Sequence, residues 1–237
     1  METVEPCPSP GTGTPLAGAR LLAVAPPLAG LLPDGGLRRG TVLSVSGAGG
    51  ATSLLASLAA RAMAEGSWVG VVGLPALGLE AAARLGLRLD HLALVPAPGA
   101  DWVEVVAVLV DSVDVVLVAP PARCRPGDAR RLAARARERG ALLVVACPSL
   151  PGARPPGWPE PVDLRLEVGP STWSGLGAGD GTLQRRAVTV RSTGRRAAAR
   201  ERRARLWLPT PDGGMGADDR TVPGTPAVPP VVAVRAG

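Results

Sequence analysis

The sequence predicts an α/β fold in which a mostly parallel central sheet is flanked by helices and extended by antiparallel strands at one edge, with disordered tails at both ends. Three observations carry that prediction. Short unbroken apolar runs alternate with segments of helical period between residues 41 and 146. A glycine-rich turn, residues 46–50, joins the first of these runs to the first helix. From Val162 onward, apolar and charged residues alternate instead, which marks strands with one wet face.

Thr41–Val45 reads as a short strand, and Thr52–Glu65 as a helix in which Leu54, Leu55, Leu58 and Ala62 recur at helical spacing. Gly66 is its stop signal. Trp68–Val72 is the next strand, Leu79–Leu85 a helix ended by Gly86, and Leu92–Val95 a strand. Asp101–Asp111 is assigned to a helix, although its valines also suit a strand. Val115–Val118 and Ala141–Ala146 are continuous apolar runs, the pattern of strands buried on both faces. Between them Pro126 suits a first helical turn, and that helix runs to Gly140. Val162, Leu164, Leu166 and Val168 alternate with Asp163, Arg165 and Glu167, while Leu183–Arg191 and Arg203–Leu208 alternate less cleanly. These last three segments are expected as antiparallel additions at a sheet edge.

Residues 1–16 and 209–237 are rich in proline, glycine, serine and threonine or otherwise poor in apolar patterning, and are expected as flexible tails around a core of residues 17–208. Composition removes several chemistries. All 26 basic residues are arginine, and lysine, phenylalanine, tyrosine, isoleucine and asparagine are absent, which points to a GC-rich genome. No Schiff-base lysine or tyrosine acid is available, and a single histidine, His91, excludes a His-rich metal site. His91 is read as a solvated turn residue, and Asp111 and Asp114 as solvating a helix end and a strand start rather than holding a metal. Three cysteines, Cys7, Cys124 and Cys147, show no CxxC pairing, which suits a reducing, cytoplasmic setting, and Cys147 is expected as a buried small hydrophobe. No signal peptide is read at the start. The uncharged window 40–60 holds four glycines and six Ser/Thr, so no membrane span is expected.

The segment 41–65 carries the most information. A phosphate-binding loop of pattern Gly-x4-Gly-Lys-Ser/Thr sets backbone N–H groups around phosphate and lysine on the outer phosphates. On that pattern Val45 stands at the first glycine, Gly50 at the second, Ala51 at the lysine and Thr52 at the metal-binding hydroxyl. Gly47, Gly49, Gly50, Ala51, Thr52 and Ser53 thus form a degenerate loop that presents amides at a helix N-terminus without the point charge. The partner motif also fails. The acid expected after an apolar strand to hold magnesium is missing, because Val118 is followed by Ala119-Pro-Pro. The strand ending at Val72 runs into Gly73-Leu-Pro, so no catalytic carboxylate stands there either. Codon bias explains a missing lysine, but not missing acids in a chain that holds 20. The chain is therefore expected to be no enzyme and to use no cofactor or metal.

In segment order the chain resembles the RecA-like superfamily. Leu37–Leu54 sits where that family has its phosphate loop, Ala76–Leu92 resembles the stretch after its acidic strand, Val113–Val118 matches its Walker B strand without the aspartate, and Val162–Leu208 is similar to its closing antiparallel strands. Arg203–Pro209 followed by Asp212-Gly-Gly214 is similar to the closing strand of ImuA-type proteins of actinobacteria, a branch without ATPase motifs. The resemblance implies a catalytically inactive accessory protein of SOS-induced translesion DNA synthesis, with an ImuB-type pseudo-polymerase and a DnaE-type error-prone polymerase as partners. Two alternatives stand beside it: a divergent RecA-family ATPase that borrows its missing cation from a neighbouring subunit, and a SulA-type cell-division inhibitor.

Charge is uneven. Residues 185–205 carry Arg185, Arg186, Arg191, Arg195, Arg196, Arg200, Arg202, Arg203 and Arg205 against Glu201 alone, and residues 123–139 carry seven arginines against two acids. The 185–205 strip is the candidate surface for DNA phosphates or for an acidic protein. The stretch Gly169–Gly181 is expected as a glycine-rich loop whose Trp173 either packs or stacks on a base.

Overall fold

The unbroken apolar runs become strands with a helical layer on each side. The computed structural model describes residues 21–47, 49–148, 157–176 and 180–218. In chain order the elements are β1 (Leu21–Leu22), α1 (Pro26–Ala29), β2 (Leu37–Arg38), β3 (Val42–Gly47), α2 (Ala51–Ala64), β4 (Val69–Val72), α3 (Leu79–Arg84) and β5 (Leu92–Val95). They continue with α4 (Trp102–Ser112), β6 (Val115–Val118), α5 (Pro126–Arg139), β7 (Leu142–Pro148), β8 (Leu164–Leu176), β9 (Gly181–Gly194), β10 (Arg202–Trp207) and β11 (Gly216–Ala217). β1 and β2 form a small antiparallel pair. The other nine strands form one sheet in the order β11-β10-β9-β8-β3-β7-β6-β4-β5. From β8 to β5 every pairing is parallel, and from β8 to β11 every pairing is antiparallel.

Strand alternation divides the apolar residues between two cores. Val115 and Leu117 of β6 join Leu43, Val45, Leu54 and Leu58 on the α2 side, whereas Val116 and Val118 join Val106, Val110 and Leu132 on the side of α4 and α5. That is why β6 reads as a continuous apolar run. The valines of α4 are helical because Val103, Val106 and Val110 fall on one face against the sheet, and this packing overrides their strand propensity. Gly70 in β4 makes room for it: a Cβ there would lie 3.1 Å from Leu109 of α4. In α5, Ala129, Leu132, Ala133 and Ala136 are buried at helical spacing. Pro126 opens the helix, and Gly140 closes it in the left-handed conformation, φ 70°.

Three expectations are corrected. The Val162–Val168 run is not an antiparallel edge strand: it begins β8, which pairs in parallel with β3 and antiparallel with β9. Its alternation arises because the α2 side of β8 is covered while Arg165 stays exposed on the other. The glycine-rich stretch from Gly169 is not a loop but the continuation of β8 to Leu176, which breaks register with β9 between Val168 and Ser171. The C-terminal tail does not begin at residue 209. Thr210–Gly214 closes a turn through Thr210 N–H to Gly214 O at 2.9 Å, and β11 then pairs with β10. Residues 1–16 and 219–237 lie outside the described residues, and so does Cys7. No helix among the described residues is long and apolar enough to cross a membrane.

Asp111 and Asp114 act as structural anchors. Asp114 accepts from Trp68 N–H at 3.0 Å and from Arg39 Nη1 at 2.7 Å, fixing the start of β4 beside the start of β6. Asp111 ties α4 to α5 by accepting from Arg135, and from Arg139 Nε at 3.0 Å. These guanidinium contacts hold its carboxyl below the ordinary carboxylate range, with Arg135 the larger influence. A depressed folded-state pKa stabilises the fold above the unfolded value of about 3.9, and the gain is lost as pH falls through the folded value. Asp111→Asn is therefore expected to cost about 1 kcal/mol at neutral pH and nothing once pH falls below the folded value. Urea midpoints of both proteins across that range check it.

His91 differs from its expected role as a solvated turn residue. Its ring lies 4.8 Å from that of Trp68, and its side chain is only 22% exposed. Cys147 and Cys124 pack half-buried against the α4–α5 core, and burial raises both thiols, Cys124 to about 11. Neither is a reactive thiolate near neutral pH.

Candidate functional site

β3 ends at Gly47, the loop passes Gly49 and Gly50, and α2 begins at Ala51, so the strand–loop–helix expected at 41–65 is present. Gly47, Gly49 and Gly50 all have positive φ, at 114°, 51° and 132°. Two of them are also crowded. A Cβ at Gly47 would overlap the backbone carbonyl of Val168 in β8, and one at Gly49 would lie 3.0 Å from Ser171 Oγ. At Gly50 a Cβ would meet Arg186 Nη2, Val168 and Val188, each at 3.4 Å. The β8–β9 ribbon thus lies over the loop, and Ala51 at the lysine position is 3% exposed. The helix start has no side-chain cap.

The cation at this loop comes from β9. Arg186 is 9% exposed; its Nε donates to Leu208 O at 2.7 Å and its Nη2 to Ser53 Oγ at 3.2 Å. Its guanidinium also lies 5.0 Å from the centroid of the Trp173 ring. No ion pair joins Arg186 to a carboxylate among the described residues, and burial lowers its pKa. The side chain brings positive charge to a helix N-terminus that is already the positive end of a dipole. The sequence gives one signal for this residue: Arg186 shares a strand face with Val188 and Val190, both buried.

The strand ends beside the loop carry no acid. After β4, Gly73 turns with φ 72°, and a Cβ there would lie 2.7 Å from Ala119 O. After β6, Ala119 N–H donates to Val72 O at 2.9 Å. The two ends therefore close on each other through backbone. Among the described residues no three His, Cys, Asp or Glu side chains gather into a metal-binding group.

The arginine strip does not form one surface. Adjacent residues of β9 face opposite ways, so Arg186 turns to the loop while Arg185 turns outward, its guanidinium 4.3 Å from the centroid of the Trp207 ring. Arg191 pairs with Glu167 and Glu201, Arg203 with Glu201 at 2.6 Å, and Arg205 with Asp218 at 3.1 Å. Arg202 donates to Arg200 O. Arg195, Arg196, Arg200 and Arg202 form no ion pair among the described residues and lie in or beside the β9–β10 turn. Trp173 is 40% exposed, on the loop side of the ribbon.

Comparison with known proteins matches the part of the chain that holds the glycine loop. One relative among curated proteins, "Uncharacterized protein Rv3395c" of Mycobacterium tuberculosis (strain ATCC 25618 / H37Rv), is 45% identical over 118 residues, which is 48% of this chain and 56% of the relative. The chain thus spans little more than half the length of that relative. A family model described as the MT3502 N-terminal domain matches residues 30–152, from the turn before β2 to just past β7 and including the glycine loop. That match takes in more than half of the chain, and the protein belongs to the MT3502 N-terminal domain family.

Proposed function

We propose that this protein is a catalytically silent, RecA-like accessory protein of the ImuA type, acting in the cytoplasm in SOS-induced error-prone DNA synthesis. The observation that carries the reading is the pair of acid-free strand ends: Gly73 and Ala119 stand where a nucleotide hydrolase needs carboxylates for magnesium and water. Ala51, buried at the lysine position, removes the point charge from the loop itself. The segment order of the sheet and the closing antiparallel strands support the RecA-like assignment. Such a protein works by contact, with an ImuB-type pseudo-polymerase and a DnaE-type error-prone polymerase as the partners the resemblance implies.

Retention of the purified chain on an immobilised ImuB-type protein tests the role. Retention supports it; retention on the tubulin-like division protein instead identifies a SulA-type inhibitor.

Arg186 favours a second reading at the same loop, in which an anion such as a nucleotide phosphate is held without catalysis. It differs from the borrowed-cation ATPase in that the positive charge comes from this chain's own β9. DNA binding is the weaker use of the arginine strip, because Arg191, Arg203 and Arg205 are engaged by carboxylates. Neutralising Arg195, Arg196, Arg200, Arg202 and Arg203 together checks it. Any DNA affinity should lose its salt dependence, and an unchanged salt slope would exclude these residues as phosphate contacts.

A further inference from the structure

At the pole of the sheet opposite the glycine loop, a cavity of about 250 Å³ opens between β2, the starts of β3 and β8, and the turn leaving β9. Its floor is apolar: Leu37, Leu43, Leu164 and Ala198 line it, all at most 9% exposed. Its rim is charged. Asp34 is paired with Arg38 at 2.9 Å, and Asp163 accepts Val42 N–H at 2.9 Å with Arg137 at 3.7 Å. Both acids are thus already compensated, whereas Arg195 and Arg196 on the same rim have no carboxylate partner among the described residues.

The turn that presents these two arginines is held in place. Arg195 N–H donates to Asp163 O at 3.1 Å, and Ala198 is 5% exposed beneath it. A Cβ at Gly194 would overlap Asp163 O and come within 2.7 Å of Ala198 Cβ, so β9 can close onto β8 only with glycine there. Arg196 has φ 54° and is the one non-glycine residue in the left-handed region among the described residues. That conformation disfavours a side chain, yet a chain with 31 glycines places arginine there. Strain held at the rim of a cavity is a feature of binding sites.

We propose that this cavity docks a partner peptide in which a bulky aliphatic side chain adjoins a carboxylate. The aliphatic group fills the leucine-lined floor, and the carboxylate bridges Arg195 and Arg196. The volume lies below the roughly 300–1,000 Å³ that encloses drug-sized ligands, so it suits one or two side chains rather than a nucleotide. The apolar floor selects against a DNA backbone, which offers phosphates but no aliphatic group. The proposal deepens the accessory-protein reading and rests on it for the claim that the ligand belongs to a partner protein.

The test is fluorescence polarisation of a labelled Gly-Asp-Leu-Leu-Glu-Gly-Ser peptide against the full chain. Saturable micromolar binding is expected, weakened at least tenfold when both leucines become alanine or both acids become amides. The protein variant Arg195→Ala/Arg196→Gly should lose binding to the same degree. Its fold is safe, because glycine relieves the left-handed strain, and its thermal midpoint should not fall. No saturation by about 1 mM, unchanged binding by the variant, or indifference to the leucines would overturn the proposal. So would a single-stranded oligonucleotide that competes more strongly than the peptide. Magnesium-dependent ATP turnover alongside peptide binding would defeat the accessory reading and leave the cavity's chemistry standing.

Discussion

Gly47→Ala is expected to cost about 3 kcal/mol or more, at the upper end of what overpacking by one methyl costs. Gly47 ends β3 in register with Val168 of β8, at φ 114°, and its missing Cβ is the space taken by the Val168 carbonyl. A methyl group must push β8 away from β3 at the junction between the parallel and antiparallel halves of the sheet. Gly66→Ala separates the two sources of cost. Gly66 also has positive φ, at 95°, but a Cβ there meets nothing within 4 Å, so it should cost only about 1 kcal/mol. Urea unfolding of both variants checks the difference. Equal losses would show that backbone conformation, not the approach of β8, sets the need for glycine.

Arg186→Ala should destabilise the protein by about 3 kcal/mol, because it leaves the buried Leu208 carbonyl without its donor and removes the half-buried bond to Ser53 Oγ. Arg186→Lys should recover little. The two acceptors are reached by two separate nitrogens, Nε and Nη2, which one ammonium nitrogen does not replace, and lysine lacks the planar face beside Trp173. Trp173→Ala should cost about 1 kcal/mol in the wild type and close to nothing once Arg186 is already alanine. That non-additivity, read from denaturant midpoints of the four proteins, is the signature of the pair. Additive losses would mean that Arg186 is held by its hydrogen bonds alone.

The sequence made the parallel half of the fold legible because burial on both faces, helical spacing and glycine stops each leave a local trace. β5 and β6 match their expected spans, and α5 begins at Pro126 and stops at Gly140 as expected. The antiparallel half was less legible. The glycines of β8 resemble loop glycines, but Gly175 is there because a Cβ would overlap Thr182 O of β9, a cross-strand approach that no local pattern records. The glycine loop and its missing acids were visible; its cation was marked only by the alternation that puts Arg186 on the strand face of Val188 and Val190. That alternation separates Arg186 from Arg185 but names no partner, and the register of β9 is what carries one to Trp207 and the other to Ser53. The strip itself dissolved for the same reason, since Glu167 and Asp218 reach it from outside the segment. The cavity beneath Arg195 and Arg196 had no trace in the sequence, as its lining comes from β2, β3, β8 and a turn far apart in the chain.

The most direct test of the central claim, a nucleotide-binding frame without nucleotide chemistry, is an ATP titration by calorimetry with and without magnesium, followed by phosphate release. With no carboxylate after β4 or β6 to engage the metal, the two titrations should coincide, whether or not Arg186 retains some ATP, and no phosphate should be released. Tight binding that appears only with magnesium, or turnover that requires it, would contradict the account.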